Sequence, residues 1–95
     1  MQNEYGDKAK QDLVAIRQHY MDVGGKSLAL RMVRGVRAEV GALADNPNIG
    51  PVYDLVPGLR RLAVAKGAFL VFYRVSSRVE VVHVRWAERE PFQAS

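Results

Sequence analysis

Guanidinium groups are the main chemical resource of this sequence. Arg61, Arg74, Arg85 and Arg89 fall on or just after three strand-like runs, Gly58-Leu59-Arg60-Arg61-Leu62-Ala63-Val64, Phe69-Leu70-Val71-Phe72-Tyr73-Arg74-Val75 and Val79-Glu80-Val81-Val82-His83-Val84-Arg85-Trp86. Each guanidinium offers five N–H donors in a rigid fork and stays charged at any working pH, so it recognises phosphates and carboxylates and stabilises their charge. Alternation in the middle run places Leu70, Phe72 and Arg74 on one face and Phe69, Val71, Tyr73 and Val75 on the other. A sheet covered by helices on one side leaves its second face free to bind. Several of these arginines gathered there would form a contact surface. Trp86 reads either as an anchor for the tail or as a further contact, and Arg31, Arg34 and Arg37 read as the solvated flank of a helix.

Other chemistries find little support. Hydrolysis or group transfer calls for a nucleophile with a base, a carboxylate pair, a metal cluster or a phosphate-cradling loop, and none stands at recognisable spacing. His83, between Val82 and Val84, reads as an ordinary sheet residue, and His19 as a surface one. Gly24-Gly25-Lys26-Ser27 lacks the first glycine of a phosphate loop. The sequence therefore assigns no catalytic residue, metal ligand or cofactor.

At 95 residues the chain is expected to be a single domain spanning 1–95, with one modest core. Without cysteine it has no disulfide, and no apolar run reaches the roughly 18 to 20 residues of a membrane span, so a cytoplasmic location is expected. The net charge of +4 is unevenly placed. Residues 1–58 hold seven basic and seven acidic side chains, residues 59–95 seven basic and three acidic. The excess positive charge lies on the strand-rich half and favours phosphate-rich or acidic partners.

Residues 2–5 read as a short strand. Asp7 is placed as the N-cap of a helix whose apolar stripe is Ala9, Leu13, Ile16, Tyr20 and Val23, ended by Gly24-Gly25. A second helix runs from about Ser27 to Ala44 with Ala29, Met32, Val33, Val36, Val40 and Leu43 on its apolar face, and Gly35 or Gly41 is expected where the helices approach closely. Residues 45–58 form a loop in which Val52-Tyr53 could touch the sheet. Leu59–Ala65, Ala68–Val75 and Val79–Trp86 then make an antiparallel meander with turns at Lys66-Gly67 and Ser76-Ser77-Arg78. Helices before strands argue for an α+β fold: a short N-terminal strand, an antiparallel helical hairpin and a three-stranded antiparallel β-meander.

Gly-Leu-Arg-Arg-Leu at 58–62, Phe-Tyr-Arg-Val at 72–75 and Val-Glu-Val-Val at 79–82 with its basic tail, in this order, resemble the RelE/ParE superfamily of type II toxins, and most of all its ParE branch. The resemblance implies a non-enzymatic toxin that poisons DNA gyrase and is neutralised by a ParD-like antitoxin, with no sequence-specific DNA binding by the toxin alone. It implies target contact and toxicity at Arg61, Arg74, Arg85, Trp86 and Arg89, and antitoxin contact at Leu13, Ile16, Arg17, Tyr20 and Met21. The RelE-like branch cuts mRNA on the ribosome; here Leu70 and Ala63 stand where it carries an arginine and a lysine, and no tyrosine follows Tyr73. The third possibility is an inactive member that only binds antitoxin. Where many ParE-like chains have two arginines after the last strand, this one has Glu88-Arg89.

Overall fold

A computed structural model describes residues 1–88. Strand β1 (Asn3–Tyr5) leads into helices α1 (Asp7–Gly24) and α2 (Lys26–Gly41), and a 3₁₀ turn at Ala42–Ala44 ends the hairpin. A long loop then reaches β2 (Arg60–Val64), β3 (Phe69–Val75) and β4 (Val79–Trp86). The sheet order is β1-β4-β3-β2. The last three strands form the expected antiparallel meander, while β1 lies parallel to β4 through Asn3↔Val79 and Tyr5↔Val81. The α+β reading and the short first strand both hold.

The core lies between the hairpin and one face of the sheet. Ala9, Leu13, Ile16, Val36, Val40 and Leu43 pack against Val64, Phe69, Val71, Tyr73, Val79, Val81 and Val84. Each large apolar side chain buried there contributes roughly 1.5–3 kcal/mol. Polar contacts also tie the second helix to the sheet: Asn3 Nδ2 donates to the Val40 carbonyl at 2.9 Å, and Glu39 Oε2 accepts the Ala65 N–H at 2.6 Å. The second contact steadies the β2–β3 turn, which uses left-handed φ at Ala65 and Lys66 as well as Gly67. With Ala65 and Ala68 also outside the strands, it is two residues wider than Lys66-Gly67 suggests.

Several local expectations are corrected. The cap of α1 is Gly6, and Asp7 is the first helical residue, where its charge favours the helix dipole without a capping hydrogen bond. Val23 is exposed rather than part of the apolar stripe. Neither Gly35 nor Gly41 lies at a close approach; a Cβ at either would meet nothing, whereas one at Gly24 would collide with the Leu28 side chain. The hairpin turn is thus the crowded point.

The strand β4 contains a bulge that alternation alone does not reveal. Phe72 pairs with His83 but Tyr73 pairs with Val81, leaving Val82 as the extra residue. A bulge reverses the facing of everything beyond it. Val79 and Val81 therefore face the helices before it, and Val84 and Trp86 after it. Without it, His83 and Arg85 would point into the core.

Candidate functional site

The sheet register gathers three of the arginines. Arg61 pairs with Phe72, Arg85 with Leu70, and Arg74 follows two residues after Phe72, so all three project from the face opposite the helices. The face is not bare, as the sequence suggested. The long loop lays Tyr53 and Leu59 on Phe72, with Val56, Leu70 and Val82 around them, as a second small core. Both helices pack on one face of the sheet, and on the other Phe72, 1% exposed, is sealed by the loop. The Val52↔Arg60 bridge confirms the brief contact expected there. Arg61 holds its guanidinium over the Tyr53 ring, 5.4 Å from the centroid, and Arg74 Nε meets Glu80 Oε1 at 3.1 Å. The latter pair is exposed and contributes at most about 1 kcal/mol.

Trp86 lies on the other face. It packs against Phe69, His19 and Tyr20 with ring centroids 4.6, 4.8 and 5.7 Å away, which makes it an anchor between β4 and α1. His19 is correspondingly drawn into an aromatic cluster. Burial pushes the Tyr20 phenol above its usual range, and the Glu88 carboxylate adds to the shift. Arg89, the fifth target-contact expectation, lies outside the described residues.

The sequence reading passed over Asp12, the buried charged residue of the described chain. Its Oδ2 accepts from His83 Nδ1 at 2.5 Å and from the Val84 N–H at 2.9 Å, while Oδ1 meets Lys8 Nζ at 2.9 Å. The position has a topological cause. The strand β1 ends at Tyr5, so beyond Val81 the edge of β4 has no strand partner, and the second turn of α1 supplies a carboxylate instead. Against an accepting carboxylate oxygen, His83 Nδ1 is the donor of this pair. The signal was an acidic residue one position before Leu13, at the border of the apolar stripe. The group lines a cleft of about 390 Å³ with Arg85 and Trp86.

On the hairpin, the five antitoxin-contact expectations divide. Leu13 and Ile16 are 4% and 3% exposed, and Tyr20 is half-buried against Trp86 and Phe69; the sheet side of α1 holds them. Arg17 and Met21 lie on the surface. There the helices leave a shallow groove made of two clefts that share Arg17. One, of about 300 Å³, is lined by Lys10, Val14, Val33 and Arg37, and the other, of about 190 Å³, by Met21, Lys26, Ala29 and Leu30. An apolar floor with cationic rims suits an amphipathic segment that carries carboxylates. Arg37 also lies over the Tyr5 ring at 5.0 Å, and burial raises the Tyr5 phenol against the opposing pull of that guanidinium. Among the described residues no group of three His, Cys, Asp or Glu side chains is placed to hold a metal ion, and no helix is long and apolar enough to cross a membrane.

This architecture, a helical hairpin packed on a four-stranded sheet whose outer face carries arginines, defines a class of small basic α+β proteins. Residues 4–91 match the family model for the ParE toxin of the type II toxin-antitoxin system parDE. The chain is 36% identical over 78 residues to Toxin ParE1 of Caulobacter vibrioides, covering 81% of this chain and 79% of the relative. It also superposes on a solved structure described as the chromosomal ParDE TA system from P. aeruginosa, with a TM-score of 0.83 and 28% identity over 93% of this chain and 97% of the other. The chain belongs to the ParE toxin family.

Proposed function

We propose that this toxin poisons DNA gyrase by binding rather than by catalysis, and that an antitoxin segment holds it inactive. The observation that carries the target side is the sheet register, which brings Arg61, Arg74 and Arg85 to one face. Such a surface recognises carboxylates on a protein or phosphates of bound DNA through charge and shape, without a bond being made or broken. Trp86 and the buried Leu13 and Ile16 act from behind, by holding α1 to the sheet. The antitoxin segment folds into the groove between Val14, Met21, Leu30 and Val33, with its carboxylates toward Lys10, Arg17, Lys26 and Arg37. Its location is the cytoplasm, where both gyrase and the antitoxin are met.

One observation favours a second reading. An imidazole held by a carboxylate beside Lys8 and Arg85 is an arrangement able to take and return a proton next to a phosphate, as an mRNA endonuclease requires. Purified toxin incubated with gyrase and supercoiled DNA separates the two. Cleaved DNA trapped on gyrase supports poisoning. Growth arrest with ribosomal mRNA cuts, lost in His83→Gln and with no trapped DNA, replaces it with the nuclease, and absence of arrest leaves a chain that only binds antitoxin.

A further inference from the structure

Arg60 and Arg61 are neighbours in sequence, yet the fold treats them differently. Along β2 they pair with Tyr73 and Phe72 and so point to opposite faces of the sheet. Arg60 Nη1 donates to the Gly50 carbonyl at 2.8 Å and to the Asn48 carbonyl at 3.3 Å, which ties its guanidinium to the backbone of the 45–58 loop. Arg61 is exposed and enters no ion pair among the described residues. Its guanidinium rests over the Tyr53 ring, with Cζ 5.4 Å from the centroid.

That ring is itself fixed. Tyr53 is 5% exposed and meets Phe72 edge to face at 5.0 Å between centroids, with Leu59 packed beside them. Phe72 in turn stacks on His83 at 5.8 Å, so the ring has β3 and β4 behind it. The Tyr53 N–H donates to the Leu59 carbonyl at 2.9 Å, and the Tyr73 hydroxyl grips the loop further back by donating to the Pro47 carbonyl and accepting the Gly50 N–H. The loop holds the backbone of Arg61 as well, because the Pro51 carbonyl accepts its N–H at 2.9 Å. One loop therefore places both ends of this long side chain.

A ring face attracts a cation without supplying an oxygen acceptor, so Arg61 keeps donors for an oxygen ligand. An unsupported surface arginine samples many rotamers, and confining it on binding costs affinity. A side chain already resting on a fixed ring loses less of that freedom. We infer that Tyr53 is a positioning residue of the arginine face: its ring holds Arg61 in the pose that meets gyrase, while Arg60 fastens the loop. The inference rests on the gyrase-poisoning reading and adds to it how one of the contact arginines is set.

The test is a double-mutant cycle at Tyr53 and Arg61, with the Kd for purified gyrase measured by titration for wild type, Tyr53→Met, Arg61→Ala and the two combined. Methionine keeps much of the volume at position 53 and removes the ring face. Thermal melting and antitoxin capture are recorded for each protein. The expected result is unchanged antitoxin capture, a Kd raised about fivefold by Tyr53→Met, no further rise when that change is added to Arg61→Ala, and wild-type affinity in Tyr53→Phe, which keeps the ring. A rise of equal size in the Arg61→Ala background, or a Kd that Tyr53→Met leaves unchanged, overturns the inference, since the ring would then not act through Arg61. Should Tyr53→Met fail to fold, or Arg61→Ala lose capture altogether, NMR of the wild type decides: the Tyr53 ring current must shift the Arg61 side-chain protons upfield, and ordinary arginine shifts overturn the inference. Wild-type growth arrest without gyrase capture removes gyrase as the target, and the same cycle, read as the toxin level needed for arrest, then decides the role of Tyr53. A wild type that neither arrests growth nor captures gyrase overturns both.

Discussion

Replacing Asp12 by Ala removes the carboxylate that accepts from two inward donors, His83 Nδ1–H and the Val84 N–H, and takes from Lys8 its 2.9 Å contact. Each buried donor left unpaired costs roughly 1–3 kcal/mol. The Lys8 contact adds little, because that side chain is 63% exposed and solvent screens it. The expected loss is therefore about 3–5 kcal/mol, a large part of the stability of a domain this size. Asp12→Asn, which keeps one carbonyl acceptor, is expected to lose about half as much. In thermal unfolding, about 1 kcal/mol shifts the midpoint of a domain of this size by roughly 4–8 °C, so Asp12→Ala should melt at least ~12 °C below wild type. Urea titration gives the free energy directly. A loss under about 1 kcal/mol in Asp12→Ala, or an equal loss in Lys8→Ala, would show that the carboxylate does not join α1 to β4.

Three further outcomes are expected. Tyr73→Phe keeps the packing but strips both loop hydrogen bonds, so it should cost about 2 kcal/mol in urea unfolding and make the backbone near residue 50 cleavable by protease; unchanged proteolysis would mean the loop is held otherwise. Leu13→Ala should cost roughly 2–5 kcal/mol by opening the core, whereas Met21→Ser should leave stability within about 0.5 kcal/mol and weaken antitoxin capture; the reverse pattern would exchange their roles. The Tyr5 and Tyr20 phenols are raised in the folded state, so their protonated forms are favoured by folding. The stability this supplies is present below the ordinary phenol range and is lost as pH rises above about 10. Urea midpoints should fall there less steeply in Tyr5→Phe/Tyr20→Phe than in wild type, and identical slopes would refute the linkage.

The sequence made the fold legible where periodicity is strong. The stripe through Leu13 and Ile16 and the run Phe69–Val75 each state which face is buried, and helices followed by strands allow few arrangements. Asn3–Tyr5 has little intrinsic strand preference, and its parallel pairing depends on β4 seventy-odd residues later. The bulge at Val82 is invisible because Val81-Val82 reads as unbroken strand, although that extra residue decides that Arg85 faces outward and Trp86 inward. For the site, alternation found Arg74 correctly beside Phe72, but nothing local showed that Tyr53 and Leu59 would cover that face. Asp12 and His83 stand 71 positions apart and meet only because β1 stops short.

The most direct measurement is the accumulation of cleaved DNA on purified gyrase, titrated with wild-type toxin and with Arg61→Ala/Arg74→Ala/Arg85→Ala, after both have been shown to melt alike and to capture antitoxin alike. Poisoning through the arginine face requires cleaved DNA to rise with wild-type toxin, to fall back when antitoxin is added, and to stay near background with the triple variant. Equal accumulation with both proteins, or none with either, would contradict it.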